Sequence, residues 1–227
     1  MAIPWSVIER RAIPDGVLEL RRRAEDEFLI CLDGRILMNS RNSASERALA
    51  ERSCAVLAGR TDPRVLIGGL GMGITLCAAL AALPERARVT VAELNPVIVE
   101  WCRGPLAGVN AACLDDPRVT VVLEDVARTI AASRGLDAIL LDLYEGPHGP
   151  TPRKDPFYGS QAIHRTRAAL APGGAFAIWA EDPDPAFEAR LRKARFEVTR
   201  FRPGRGGRRH AVILGRRTDP AGSDQAP

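Results

Sequence analysis

Val65-Leu-Ile-Gly-Gly-Leu-Gly-Met-Gly73 is the stretch on which the reading of this sequence turns. A short run of branched apolar residues breaks into glycines, the form of a buried strand that ends where a helix begins. Glycines at 69, 71 and 73 remove the Cβ atoms that would hold a ligand off the backbone, and the N–H groups of a helix start point outward. The dinucleotide fingerprint G-x-G-x-x-G needs its third glycine at position 74, which here is Ile. The spacing G-x-G-x-G suits the amino-acid and ribose end of a nucleoside of the S-adenosylmethionine (AdoMet) type, with no pyrophosphate to cradle. A tight strand-to-helix turn without a ligand is the plainer alternative.

Outward from this turn, short β-branched runs alternate with longer Ala/Leu/Arg segments, which is the pattern of a parallel sheet with crossover helices. Strands are expected at Arg64–Gly68, Arg88–Glu93, Arg118–Leu123, Leu136–Asp142, Ala175–Ala180, Phe196–Phe201 and His210–Leu214. Helices are expected near 73–83, 96–103, 126–133, 160–170 and 184–194. The last two strands are joined by Arg202-Pro-Gly-Arg-Gly-Gly-Arg-Arg209, too short for a crossover helix, so they form an antiparallel hairpin. The class is α/β, in the seven-stranded, Rossmann-like plan of class I AdoMet-dependent methyltransferases. Ahead of it, Val17–Arg21, Phe28–Leu32 and Arg35–Met38 read as a small β-leaf turning at Asp33-Gly34. Ser43-Ala-Ser-Glu46 has the spacing of a capping box and opens a lead-in helix to about Ala58. The expected division is a leaf and lead-in helix over 1–60, a nucleoside-binding catalytic domain over 61–217 and a disordered tail over 218–227.

The 227 residues suit one α/β domain with a short appendage. Apolar residues make up 46% and charged residues 26%, and no apolar run approaches the roughly 20 residues that span a bilayer. With charges following a very short apolar start and no signal-peptide pattern, a cytoplasmic location is expected. Cys31, Cys54, Cys77, Cys102 and Cys113 are an odd set without C-x-x-C spacing, so neither a disulfide framework nor a zinc knuckle is expected. A net charge of +4 does not imply nucleic acid.

Two acids sharpen the ligand reading. Glu93 ends the second main strand, where a carboxylate can accept both hydrogen bonds of a ribose diol. Asp125 follows the third, where it can accept from an adenine amino group. Both lie at carboxyl ends of strands, where open α/β sheets bind ligands.

At these residues the sequence resembles the spermidine synthase (polyamine aminopropyltransferase) family. Val65–Leu76 matches the family's V-L-I-I-G-G-G-D-G-G-T-L without a gap, and Ala92-Glu-Leu-Asn-Pro96 corresponds to V-E-I-D-P. Asp115-Asp-Pro-Arg-Val-Thr-Val-Val-Leu-Glu-Asp125 repeats D-D-P-R-V-x-V-x-x-x-D, the most diagnostic match. Leu170–Gly174 follows L-K-P-G-G, and Leu32-Asp-Gly34 is similar to the L-D-G of the family's hairpin. The resemblance spans about 28–180. The family's catalytic D-[ST]-[ST]-D-P corresponds to Asp142-Leu-Tyr-Glu145-Gly-Pro147. The resemblance implies that Asp142 holds and deprotonates the attacking amine, with Glu145 in place of the second acid and Tyr144 beside it as a substrate contact. The family's aspartate within G-G-G-D-G-G, which holds the amine of decarboxylated AdoMet, is here Met72. Its loss removes an attraction for an ammonium and a repulsion of a carboxylate.

The remaining candidates are His148, in a loop beside the proposed site, Phe157 and Tyr158 as pocket walls, and Trp179 with Glu181, Asp182 and Asp184 as an acidic rim. Each has a plainer reading as packing, loop or helix cap, and His164 and His210 read as structural. Three functions follow. First stands transfer of an aminopropyl group from decarboxylated AdoMet to a small amine or polyamine, without a metal. The second is AdoMet-dependent methyl or aminocarboxypropyl transfer on the same scaffold, and the third a catalytically weak nucleoside-binding paralogue. A homodimer is compatible with the sequence, and a membrane partner is not expected.

Overall fold

The structure, a computed structural model, describes residues 3–41, 43–147, 154–203 and 210–219. His148, most of the Arg202–Arg209 loop and residues 220–227 lie outside the described residues.

The chain opens with an antiparallel meander of four strands: β1 (Ser6–Ile13), β2 (Gly16–Arg23), β3 (Glu27–Leu32) and β4 (Arg35–Asn39). Asp33 and Gly34 both have positive φ, 47° and 81°, as a two-residue hairpin turn requires. Three of these strands are those expected, and β1 is additional. Ser6–Ile13 hid because it is an edge strand exposed along most of its length, so it lacks the apolar-polar alternation of a half-buried strand. Helix α1 (Ala44–Ala55) then leads into the main sheet. The expected capping box is absent: Ser43 makes no side-chain cap bond, and Glu46 is buried instead of reaching back in the first turn.

The main sheet is built from β5 (Arg64–Gly68), β6 (Arg88–Glu93), β7 (Val119–Leu123), β8 (Leu136–Leu141), β9 (Leu170–Ala180), β10 (Phe196–Phe201) and β11 (Ala211–Arg217). Its spatial order is β10-β11-β9-β8-β5-β6-β7. Strands β5 to β9 pair in parallel, while β11 is antiparallel to both neighbours, the terminal hairpin that the short loop demanded. The crossovers are α2 (Ile74–Ala82), α3 (Pro96–Arg103), α4 (Val126–Ala132), α5 (Ser160–Ala169) and α6 (Pro185–Lys193). Among the described residues, no helix is long and apolar enough to cross a membrane.

Strand residues alternate between two apolar layers. Val65, Ile67, Ala138 and Leu140 pack with α1, α2 and α3, whereas Leu66, Ile139, Leu141 and Phe176 pack with α4, α5 and α6. The direction of crossover changes between β5 and β8, the topological switch point at which such sheets leave a crevice. Asp142 N donates to Gly68 O at 2.9 Å across this gap, which brings the glycine turn and the expected catalytic acid side by side.

The D-D-P-R phrase has a structural task. Asp116 accepts from the Arg118 backbone N and from its guanidinium at 2.8–2.9 Å, and Arg118 Nη1 donates to the carbonyls of Leu80, Leu83 and Pro84. The pair fastens the start of β7 to the end of α2. Cys77 and Cys113 form a disulfide, with Cα atoms 5.6 Å apart, which corrects the expectation drawn from cysteine count and spacing. Their pairing is a contact between α2 and the turn before β7, 36 residues on, and no local spacing encodes it. Cys31, Cys54 and Cys102 are free and buried.

Candidate active site

The glycine turn lies where the structure has no room for side chains. Gly69 has φ +86°, and a Cβ there would sit 2.5 Å from the carbonyl oxygen of Asp142. Gly71 has φ +53°, and its Cβ would collide with the sulfur of Met38 on β4, so the leaf closes directly over the turn. Gly73 completes it as the left-handed N-cap of α2.

Glu93 pins this turn. Its Oε2 accepts from Leu70 N and its Oε1 from Asn95 N, both at 2.8 Å, and the residue is 8% exposed. Burial pushes its pKa up, opposed by the backbone N–H groups of Leu70, Asn95, Leu94 and Gly71. Each carboxylate oxygen accepts through two lone pairs, so a backbone contact leaves acceptor capacity for a diol. Asn95 accepts from Val97 N at 3.1 Å and Pro96 opens α3, so the strand stops directly after Glu93. Asp125 caps α4, its Oδ1 accepting from Ala127 N at 2.8 Å, which leaves its Oδ2 and one lone pair of Oδ1 as acceptors.

Two apolar side chains stand out at this edge. Leu94 is 68% exposed and Leu123 61%, at the carboxyl ends of β6 and β7 beside Glu93 and Asp125. Neither drew attention in the sequence, because an exposed leucine at a strand end carries no pattern; only their placement beside the two acids singles them out.

Asp142 continues the face of β8 that carries Ala138 and Leu140, toward α1 and α2. It is half-buried as a residue, and its Oδ2 accepts from Thr75 Oγ1 on α2 at 2.5 Å. Dense packing around the carboxyl group, then the charge of Glu46, pushes its pKa up to about 7, against the lowering effect of the Thr75 hydrogen bond. Thr75 and Glu46 were not singled out in the sequence. Thr75 lies within the matched glycine phrase, where its hydroxyl was the available signal, while Glu46 was assigned to a cap.

The other candidates separate from this centre. Glu145 is exposed, 3.5 Å from Arg35 Nη1 of the leaf. Tyr144 is 50% exposed, and its pKa is raised by burial of the phenol and by Glu145 and Asp15. Tyr158 is buried and its hydroxyl donates to Glu145 O at 2.7 Å, so it holds the loop. Phe157 is a partly buried neighbour, their rings 6.0 Å apart. Asp184 caps α6 through Phe187 N at 2.9 Å, whereas Glu181 and Asp182 are exposed. Trp179 packs edge-on to His210, with ring centroids 5.0 Å apart. Met72 is fully buried within the larger apolar layer. Among the described residues, no group of three or more His, Cys, Asp or Glu could hold a metal ion.

Residues 54–189, more than half of the chain, match the family described as spermine/spermidine synthase domain. The chain belongs to this family. It is 32% identical over 133 residues to the polyamine aminopropyltransferase of Mycobacterium tuberculosis, across 57% of this chain and 24% of that protein. It is 36% identical over 124 residues to putrescine N-methyltransferase 4 of Nicotiana tabacum, across 52% of this chain and 30% of that one. The chain thus spans about a quarter to a third of the length of these relatives. The spermidine synthase of Thermotoga maritima has the same fold, with a TM-score of 0.71 at 19% identity over 92% of this chain and 72% of that one. A spermidine synthase bound to the transition-state analogue AdoDATO gives 0.70 at 18% identity, over 92% and 72%.

The family match covers the glycine turn, Glu93, Asp125 and Asp142, and it ends before His210. Glu46 precedes it, so part of the polar surroundings of Asp142 comes from outside the matched segment.

Proposed function

We propose that the chain moves an aminopropyl group from decarboxylated AdoMet to a small amine. The reading is carried by Asp142, a carboxylate with raised proton affinity placed at the sheet's switch point beside the glycine turn. The glycine turn receives the nucleoside's sulfonium end, Glu93 accepts from the ribose diol, Leu94 and Leu123 cover the faces of the purine, and Asp125 accepts from its amino group with its remaining capacity. A sulfonium is an activated electrophile, so the protein has to align the amine in line with the carbon and take one proton. The nitrogen–carbon bond forms, the carbon–sulfur bond breaks to release a thioether nucleoside, and the amine's N–H proton passes to Asp142. Acceptor amines are mostly protonated at neutral pH, with reference pKa values near 10, so a nearby carboxylate both holds the cation and assists proton removal. Glu145 and Tyr144, exposed in the segment after Asp142, are the groups we assign to a remote ammonium of the acceptor.

Methyl transfer from intact AdoMet is the second reading, and Met72 favours it. The position that carries the family's carboxylate is apolar and buried here, so nothing at that point repels a donor carboxylate. The 36% identity to the Nicotiana putrescine N-methyltransferase points the same way. The test is mass spectrometry of the products formed with each donor over a panel of small amines. A mass gain of one aminopropyl group supports the first reading, a methyl gain replaces it with the second, and no product with either donor refutes both.

A further inference from the structure

The glycine turn rests on a segment that a disulfide closes. Cys77, on α2 one turn beyond its N-cap Gly73, is bridged to Cys113, which opens the short 3-10 turn Cys113–Asp115 ahead of β7. Between α3 and that bridge, residues 104–112 run as successive turns. They are stitched by Leu106 N to Trp101 O at 2.9 Å, Asn110 N to Leu106 O at 3.2 Å and Cys113 N to Asn110 O at 2.8 Å. Asn110 is fully buried: its Nδ2 donates to Cys102 O at 2.8 Å, its Oδ1 accepts from Ala112 N at 3.0 Å, and a Cβ on Gly73 would sit 2.8 Å from its own Cβ. The Cys102 thiol in turn donates to Gly71 O at 3.2 Å. Gly71 and Gly73 are thus backed by Cys102 and Asn110, and Asn110 belongs to the segment that the disulfide closes.

Two residues of that segment are held in a conformation that alanine avoids. Ala111 and Ala112 have φ +46° and +54°, in the left-handed region where a Cβ crowds the following carbonyl oxygen. Both are exposed, so packing of their side chains does not keep them there; the buried Asn110 on one side and the bridged Cys113 on the other do. Cys77 and Cys113 are only half-buried, within reach of a small thiol. Cys54 and Cys102 are buried, and that burial pushes their thiols up to about 11 and about 12; burial raises Cys31 as well. These three stay protonated and exchange poorly with the bridge, because the attacking species is the thiolate. Arg118 ties β7 to the carbonyls at the end of α2 independently of the disulfide, so opening the bridge frees the segment before β7 and leaves the sheet in place.

We propose that the Cys77–Cys113 disulfide is a redox latch on the glycine turn. Closed, it holds Asn110 against Gly73 and keeps the turn in its ligand-binding shape. Opened by a dithiol, it lets the strained alanines relax, draws Asn110 away and weakens nucleoside binding. The proposal rests on the reading of the glycine turn as the nucleoside site and holds for either donor. In the opening step a thiolate of the dithiol attacks one sulfur of the bridge, forming a mixed disulfide and expelling the other sulfur as a thiolate, which takes a proton. The second thiol of the reductant then displaces the remaining protein sulfur. The protein gains two electrons and two protons as a pair of thiols, and the dithiol loses the same as it closes into a cyclic disulfide.

The experiment titrates methylthioadenosine by calorimetry into the oxidised chain, the chain reduced by dithiothreitol, the reoxidised chain and Cys113→Ser. Free thiols are counted under denaturing conditions, and urea unfolding follows the fold of each sample. The oxidised chain should show three free thiols and the reduced chain five. Reduction should weaken binding about tenfold and reoxidation should restore it, while Cys113→Ser should match the reduced chain and not respond to dithiothreitol. A bridge with a purely structural task would make the reduced chain less resistant to urea and leave the affinity of the folded protein as it was. Equal affinity in the oxidised and reduced states therefore overturns the latch alone, as does a chain that unfolds on reduction without urea, or one that keeps five free thiols after mild oxidation. An oxidised chain that binds no methylthioadenosine overturns the nucleoside site, and the latch with it.

Discussion

Asp142→Asn keeps the shape of the side chain and removes the charge, and it should make the protein more stable and almost inactive. Asparagine can still accept from Thr75 through its carbonyl oxygen, and it removes the charge that burial and Glu46 both oppose. The wild-type carboxyl is raised from 3.8 to about 7, so the native state holds its proton more tightly than the unfolded chain. Stability then falls as pH rises from the unfolded value through the folded one, and below the unfolded value ionisation costs nothing. At about 1.4 kcal/mol per unit the whole shift sets a ceiling of about 4 kcal/mol, and partial solvent access to a half-buried residue brings the expectation to about 2 kcal/mol. Urea unfolding of both proteins between pH 4 and pH 8 measures it: the variant's advantage should be small at pH 4, grow through neutrality and level off above about 7. In the same interval the wild-type kcat should rise as Asp142 ionises, while the variant turns over roughly 10² to 10⁴ times more slowly. A stability difference independent of pH would show that Asp142 is not held against its charge. A variant with near wild-type turnover would remove it from the proton transfer.

Glu93→Ala should weaken methylthioadenosine binding at least about tenfold by calorimetry, since it loses charge-assisted hydrogen bonds and frees the N–H groups of Leu70 and Asn95; unchanged affinity in a folded variant would place the ribose elsewhere. Met72→Asp should destabilise the fold by several kcal/mol, because the side chain it replaces is fully buried among apolar residues, and where it folds it should bind intact AdoMet less well than decarboxylated AdoMet in competitive titration. A variant as stable as the wild type would show that position 72 opens to solvent. Arg118→Ala should cost about 1–3 kcal/mol in denaturation and leave nucleoside affinity unchanged, and an affinity loss would move the D-D-P-R phrase from the scaffold to the site.

The sequence carried the parallel sheet well because each of its strands is an apolar run closed by its own turn chemistry. Val65–Gly73, Glu93-Leu-Asn-Pro96 and Glu124-Asp125 each combine a strand end with a helix start within a few residues, so position and ligand-facing edge are local information. Asp142 was legible as the end of an expected strand, and its role through the resemblance of Asp142–Pro147 to the family's catalytic phrase. What stayed hidden depends on which distant segments touch. The exposed β1 gave no alternation, and the Cys77–Cys113 pairing is set by how the turn before β7 lies on α2. Glu46 looked like a cap because S-x-x-E is a local pattern, and only the packing of α1 against α2 decides that its carboxylate faces inward.

That difference bears on how the site works. The residues legible from local pattern lie along the carboxyl edge of the sheet, and the nucleoside site we propose there would leave the fate of the transferred group and the choice of acceptor open. Two residues that local pattern missed act on Asp142, Thr75 of α2 through a hydrogen bond and Glu46 of α1 through its charge. A carboxylate in water would sit near its ordinary pKa and stay ionised while the amine kept its proton. Packed densely, acted on by the charge of a second carboxylate and bonded by the Thr75 hydroxyl, Asp142 holds a proton more tightly than a carboxylate in water, as the proton transfer we propose would need. The packing of the lead-in helix α1 against α2 and the sheet thus raises the proton affinity of Asp142, the property on which the proposed alkylation of an amine depends.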